Sequence, residues 1–344
     1  MSESAPTAAA SEYNGYLVDA KGAVAGTFQL KVGKAKAKTN LAAVKAIVVP
    51  TGGKKVSLSG SEKGKAEVFA DGPTTIALSG GETCTVTFGG DGLLGSYGAF
   101  AIKGARNFFT SKDKTESKAS EAVLAKWLGP VNVVWGGNSV TVTLAKKGKV
   151  KVKGTLADGK TKVSASAVFL VGEAWCAVPV IAPKAKLAFM LWLSIDGREA
   201  LVDGLGADVI VGAPGELGAG SAFHIDKSAA LWGQIAETVM ADYLPDGVSV
   251  TQSGKKWVLP KAGKIAMKKG VVDDSTKGDN PAALKLSYKA ADGSFKGSFK
   301  VYSAVNGDNK LKATTVNVTG VMIDGVGRGM ATIKKVGSVP ISIE

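Results

Sequence analysis

His224 is the sole histidine of the chain, so any imidazole chemistry would have to pass through it. Multi-histidine metal sites are thereby excluded. A nucleophilic relay would have to be assembled from Ser221, His224 and Asp226 in SAFHIDKS. Members of such triads arrive from separated elements, so this cluster reads as structural, with Asp226 as a helix cap. Paired carboxylates would support glycoside hydrolysis. The candidate acids (Asp196, Glu199, Asp203, Glu216, Asp273, Asp274 and Asp324) sit mostly beside glycine, as in IDGRE, VDGLG and IDGVG. Turn formation accounts for Asp-Gly in these contexts. No acidic cluster has the spacing of a calcium loop. GVGRG at Gly325–Gly329 lacks both the Walker lysine and a following helix. The expectation is a non-catalytic chain without metal or cofactor.

Tryptophan and lysine offer binding chemistry instead. Of Trp127, Trp135, Trp175, Trp192, Trp232 and Trp257, Trp127 and Trp192 lie in apolar runs and read as core. Trp135 precedes Gly136-Gly137 and Trp257 follows a Ser-Gly-Lys-Lys turn, so these two are the candidates for stacking on a sugar ring. Lys149, Lys151 and Lys153 alternate along one strand, and Lys31, Lys34, Lys36 and Lys38 have similar spacing. The net charge is +14, from 43 Lys and Arg against 29 Asp and Glu. A lysine face can simply guard sheet edges from pairing, or it can hold an anionic polymer. Bidentate base readers depend on arginine, and only Arg106, Arg198 and Arg328 are present. Specific nucleic-acid recognition is therefore not expected. The candidate ligand-binding residues are Trp135, Trp257, Lys149, Lys151 and Lys153.

These side chains must be carried on strands. Glycine numbers 45 in 344 residues, nearly twice its usual share, with many glycines between short alternating runs. The clearest case is 284–343, which reads as two tight hairpins with apolar residues at every second position. Gly22, Val24, Gly26, Thr27 and Phe28 share a frame with Gly293, Phe295, Gly297, Ser298 and Phe299, as in a repeated hairpin unit. Looser versions occur at Gly148–Leu156 and Gly92–Tyr97. Leu187–Ile195 reads as a strand buried on both faces. Helical spacing appears twice: over Thr115–Leu128, with Thr115 as cap, and over Asp226–Tyr243, stopped by Pro245.

Chain length suggests two domains. The expected fold is all-β with minor helix: two tandem antiparallel β-barrels or β-sandwiches, each with a short accessory helix. Residues 1–12 read as a disordered small-residue linker, 13–135 as an N-terminal β domain, and 136–344 as a C-terminal β domain with a helix near 226–243. Cys84 and Cys176 read as buried free thiols; a bridge would close a long loop and contribute about 3–5 kcal/mol. No run of 18 apolar residues is present, so no membrane-spanning helix is expected. The first fifteen residues have neither the charged start nor the apolar run of an intact signal peptide.

Gly293-Ser-Phe295-Lys-Gly297-Ser-Phe299-Lys-Val301-Tyr302, Val318-Thr-Gly320-Val321, Asp324-Gly325, Gly327, Gly329 and Lys334-Lys335 resemble a glycine-rich module. It recurs near the C-termini of large, secreted, repeat-containing bacterial proteins. GARNFF at Gly104–Phe109 and AGK at Ala262–Lys264 are similar to other parts of the same proteins. The resemblance implies an all-β module in an extracellular or cell-surface setting and carries over no catalytic residue. The expected function is a structural or adhesive module of a secreted or surface protein, with anionic polysaccharide or another cell-envelope polymer as partner. The alternatives are a carbohydrate-active enzyme using turn-borne carboxylates and a self-assembling, homo-oligomeric subunit.

Overall fold

The structure is a computed structural model that describes residues 11–69, 73–89, 92–111, 113–227, 241–268, 271–273, 277–304, 311–333 and 337–344. Of the described residues 58% are in strands and 8% are helical, the all-β architecture with minor helix that the glycine-bounded alternation implies. The chain forms two compact units. The first takes residues up to Leu128 together with Leu144–Val152 and Ser164–Gly206. The second takes Gly129–Thr143, Lys153–Val163 and Ala207–Glu344. A single cut after residue 135 therefore does not describe the division: much of 136–206 packs with the first unit.

The first unit begins with β1 (Glu12–Val18), β2 (Val24–Val32), β3 (Leu41–Pro50), β4 (Val56–Gly60), β5 (Lys65–Glu67), β6 (Thr74–Ser79), β7 (Cys84–Gly89), β8 (Gly92–Tyr97) and β9 (Phe100–Arg106). The hydrogen-bonded order runs β2-β1-β9-β8-β7-β6-β4-β3, and β3 pairs back onto β2. Eight antiparallel strands thus close into a barrel, with β5 lying against β3. Closure follows from sequence patterning: strands whose side chains alternate between buried and exposed have one apolar face to hide, and curling the sheet on itself hides it while removing free edges. Tyr13, Phe28, Leu30, Phe88 and Leu93 fill the interior, with the Tyr13 and Phe88 rings tilted at 5.5 Å. Glu12 opens β1 and Ser11 is buried, so the ordered chain starts within the stretch read as linker. Residues 1–10 of that stretch lie outside the described residues.

Helix α1 (Lys114–Ala125) follows. Its cap is Asp113, whose carboxylate accepts from the Thr115 backbone N–H at 2.7 Å, rather than Thr115 itself. An ionised acceptor at a helix start is favoured by both the hydrogen bond and the dipole. The helix also stops before the expected Leu128, which is 46% exposed. The helix expected near 226–243 falls largely on 228–240, outside the described residues.

Next come β10 (Gly129–Trp135), β11 (Asn138–Ala145), β12 (Lys149–Thr155), β13 (Lys162–Val168), β14 (Trp175–Ala182), β15 (Leu187–Ser194), β16 (Ala200–Asp203) and β17 (Ile210–Gly212). They make a five-stranded sheet, β13-β12-β11-β10-β17, and a three-stranded sheet, β14-β15-β16. In β15, Phe189, Met190, Leu191 and Leu193 are all buried, as its apolar run implies.

The second unit is built on a half-barrel. Its strands are β18 (Ala222–Ile225), β19 (Val248–Ser249), the short pairs β20 (Thr251–Ser253) with β21 (Lys256–Val258) and β22 (Ala266–Lys268) with β23 (Val271–Asp273), then β24 (Lys285–Lys289), β25 (Ser294–Ala304), β26 (Leu311–Ile323), β27 (Val326–Ile333) and β28 (Gly337–Ile343). The seven-stranded order is β19-β18-β28-β27-β26-β25-β24. The β24–β25 hairpin turns at Gly293, whose φ of +69° is open to glycine and strained for most other residues. Among the described residues no helix is long and apolar enough to cross a membrane.

Cys84 and Cys176 are free and buried in the first unit. Burial pushes both thiols up to about 11, so roughly a thousandth is thiolate at pH 8. The expected result is no reaction of either with an aromatic disulfide reagent until the fold is opened by denaturant. Stoichiometric labelling of the native protein within minutes would contradict it.

Candidate functional site: a lysine-lined cleft

Strand register places charges that the sequence separates. Glu12 of β1 lies opposite Lys31 of β2, Lys31 opposite Lys45 of β3, and Lys45 opposite Ser59 of β4. The row runs across the outer face of the barrel, because the flanking Leu30, Val32, Val44 and Ala46 are buried inside. Its members therefore face solvent side by side.

The second wall is β12 and the turn before it. Val150 and Val152 are buried, which turns Lys149 and Lys151 outward. Lys147 precedes them in a left-handed backbone conformation, φ +61° and ψ +32°, a state that costs a non-glycine residue about 1 kcal/mol or more. Gly148 makes the turn possible. Its φ is +66°, and a Cβ there would stand 2.5 Å from the Phe109 ring. Phe109 in turn packs against Phe169 at 6.2 Å, giving the cleft an apolar floor between its lysines.

The cleft encloses about 680 Å³ and is lined by Lys31, Lys45, Lys147, Lys149, Lys151, Asn14, Gln29, Asn107 and Phe109, among others. Glu12 is its one acid. The Lys31 ammonium reaches Glu12 Oε1 at 2.7 Å, which raises its pKa above the ordinary lysine value. Lys45, Lys147, Lys149 and Lys151 make no ion pair among the described residues. Like charges directly opposite on neighbouring strands repel, so Lys31 and Lys45 are held together at a cost that an anion between them would relieve.

The sequence-derived candidates are distributed unevenly. Lys149 and Lys151 join the cleft. Lys153, further along β12, belongs to the second unit and lines a different groove there, with Thr143, Thr155, Tyr288 and Lys296. Trp135 is half-buried in β10, with its carbonyl accepting from Asn138 Nδ2 at 3.0 Å. Trp257 is 7% exposed, stacked on Tyr288 at 4.6 Å and near Phe295 at 5.1 Å. It is a core residue of the second unit rather than an open platform, because the turn before it folds the ring inward onto β24 and β25. Lys34, Lys36 and Lys38 lie in the β2–β3 connection, not on a strand face. Lys45 and Lys147 were missed. The alternation of β3 marks Lys45 as outward, but only the β2–β3 register puts it beside Lys31.

Asp196 takes the turn role that its glycine neighbour suggests, Asp203 and Asp273 lie in strands, and Asp274 is outside the described residues. Asp196 accepts from Ser194 Oγ at 2.6 Å and from the Arg198 N–H at 3.1 Å, and the Ser194 bond holds its carboxyl below the usual range. Asp203 accepts from Trp192 Nε1 at 2.7 Å. His224 Nδ1 stands 3.5 Å from Asp246, a residue of the β18–β19 connection, rather than from Asp226. Asp246 is also bonded to the Lys227 ammonium at 2.6 Å.

No family model matches this chain, and no curated protein does. Among solved structures, the β subunit of DNA polymerase III from Pseudomonas aeruginosa aligns over 96% of this chain and 92% of its own at 9% identity, with a TM-score of 0.12. The β subunit from the DNA polymerase of Streptococcus pyogenes aligns over 100% and 93% at 8% identity, also with a TM-score of 0.12. Scores this low define neither a shared fold nor a shared role.

Proposed function

We propose that this protein is a non-catalytic structural or adhesive module of a bacterial secreted or cell-surface protein, and that it grips an anionic polysaccharide in the lysine-lined cleft. The observation that supports the reading most is the convergence of Lys31 and Lys45 from the barrel with Lys147, Lys149 and Lys151 from the opposite wall, against the single Glu12. A spread of solvating lysines would not be expected to crowd like charges or to spend a left-handed residue at Lys147. Ammonium groups are point charges on flexible stems, suited to the irregular carboxylates or sulfates of a glycan more than to planar base edges. Asn14, Gln29 and Asn107 add neutral donors and acceptors for hydroxyls.

Titration with a hexuronate polymer at increasing salt tests the reading. Four or five ammonium contacts imply an affinity loss of about tenfold or more between 50 and 200 mM salt, by counterion release. Binding unchanged over that range, or no binding at the lower salt, would remove the proposal.

A further inference from the structure

The first unit carries a second cleft, of about 190 Å³, lined by Tyr16, Leu94, Lys103, Trp175 and Trp192 among others. We propose that it is a sugar-ring subsite, in which the apolar face of one pyranose lies against Trp175 and Trp192. The inference goes beyond the lysine-lined cleft, because it adds to the polysaccharide reading a separate subsite that recognises a sugar ring by its shape and C–H face rather than by charge.

Register explains how the two indoles meet. Trp175 of β14 lies opposite Ser194 of β15, and Ala177 opposite Trp192. The tryptophans are thus diagonal neighbours on one face of the ribbon, about 7–8 Å apart by ordinary sheet geometry. The other face carries Cys176, Val178, Leu191 and Leu193, all buried; on the tryptophan face Ala177 and Met190 are buried as well, in a cluster with Tyr16 and Leu170 against which the half-buried Trp192 packs. The facing wall is a cross-strand row on the barrel's outer surface, Tyr16 opposite Lys103 and Lys103 opposite Leu94. Leu94 is 61% exposed, a large apolar side chain at the rim.

Three features distinguish this cleft from ordinary packing between sheets. Both tryptophans are only half-buried, although the run around Trp192 is the most apolar in the chain. The Trp192 ring is fixed in orientation by its Nε1–H donating to Asp203 Oδ2 at 2.7 Å. That bond leaves the other oxygen of the exposed Asp203 carboxylate to accept a hydroxyl at the edge of the indole, and Lys103 supplies donors from the opposite wall. An aromatic face flanked by polar groups matches a pyranose, whose slightly positive C–H face suits the negative ring face while its hydroxyls project outward. At about 190 Å³ the cleft has room for one ring and too little for a folded peptide.

The test uses the indole N–H signals of isotope-labelled protein, assigned with Trp175→Phe and Trp192→Phe. Two titrants are a hexuronate tetrasaccharide and the same tetrasaccharide with its carboxylates reduced to alcohols. Both are expected to shift the Trp175 and Trp192 signals saturably, and Trp175→Ala is expected to weaken the neutral sugar at least tenfold. Inorganic polyphosphate is expected to leave both signals in place. Indole signals unmoved by either sugar, or moved equally by polyphosphate, would overturn the subsite whether or not the variants fold. Indole shifts with the neutral sugar that persist in Lys149→Ala/Lys151→Ala, in a protein without salt-sensitive polyanion binding, would keep this inference and remove the lysine-cleft reading.

Discussion

Replacing both Lys149 and Lys151 with alanine is expected to weaken binding of a hexuronate polymer about thirtyfold at low salt. A lysine beside an anionic surface contributes about 1 kcal/mol, and two of the cleft's five are removed. Stability should barely change, because both side chains are solvent-exposed and surface substitutions of this kind usually stay within about 0.5 kcal/mol. The paired control is Lys114→Ala/Lys118→Ala on α1, which removes the same charge from exposed positions outside the cleft. Isothermal titration of the two double variants separates a site from a general field. An equal loss in both would show that net charge, not the cleft, holds the polymer. Reversal to glutamate at 149 and 151 should abolish measurable binding, since each change replaces an attraction with a repulsion.

The largest effect on stability is expected in the second unit, at Asn132. Its side chain is fully buried in β10. The amide donates to the Met322 carbonyl at 2.8 Å and to the Asp292 carbonyl at 3.2 Å, while its oxygen accepts from Thr141 Oγ1 at 2.6 Å. Asn132→Leu keeps the bulk and strands all three partners. Each unsatisfied buried group costs about 1–3 kcal/mol, so a loss of about 3–5 kcal/mol is expected in urea unfolding. Trp257, stacked on Tyr288 in the same unit, offers a fluorescence reporter. Combining Asn132→Leu with Thr141→Val should recover part of the loss, because the stranded hydroxyl is then gone. A strictly additive double variant would mean that the two side chains do not act as a pair.

Local rules were legible in the residues, and long-range ones were not. The hairpins of 284–343 could be read because Gly293 supplies a positive-φ corner and Phe295, Phe299 and Val301 fall on alternate positions; the observed pairing of Tyr288 with Phe295 follows from that turn. The outward set of Lys149 and Lys151 was legible for the same reason. Which strands meet to close the barrel was not, since that depends on Tyr13 finding Arg106 and Lys31 finding Lys45, pairings that no local period encodes. The same gap misdirected the choice of tryptophans. Trp257 follows a turn and looks exposed, but its ring is drawn between Tyr288 and Phe295. Trp192 lies in the most apolar run and looks internal; it packs on one side against Tyr16, Ala177 and Met190, while its N–H reaches Asp203 at the rim. Flanking residues report where a strand begins and ends; which of its faces stays wet is decided by what other strands leave uncovered.

The seam between β2 and β3 has one more consequence. Because the hydrogen-bonded ring is shut there, Lys31 and Lys45 are mounted on a frame that cannot gape or flatten. The ring fixes where the two side chains are rooted, so under the proposed reading the ordering penalty of association falls on the lysine stems and the polymer's own torsions rather than on the backbone. Under that reading stiff chains should be preferred over limp ones of equal charge, because the backbone frame has no further ordering to undergo, a selectivity that arises from carpentry rather than from any single contact.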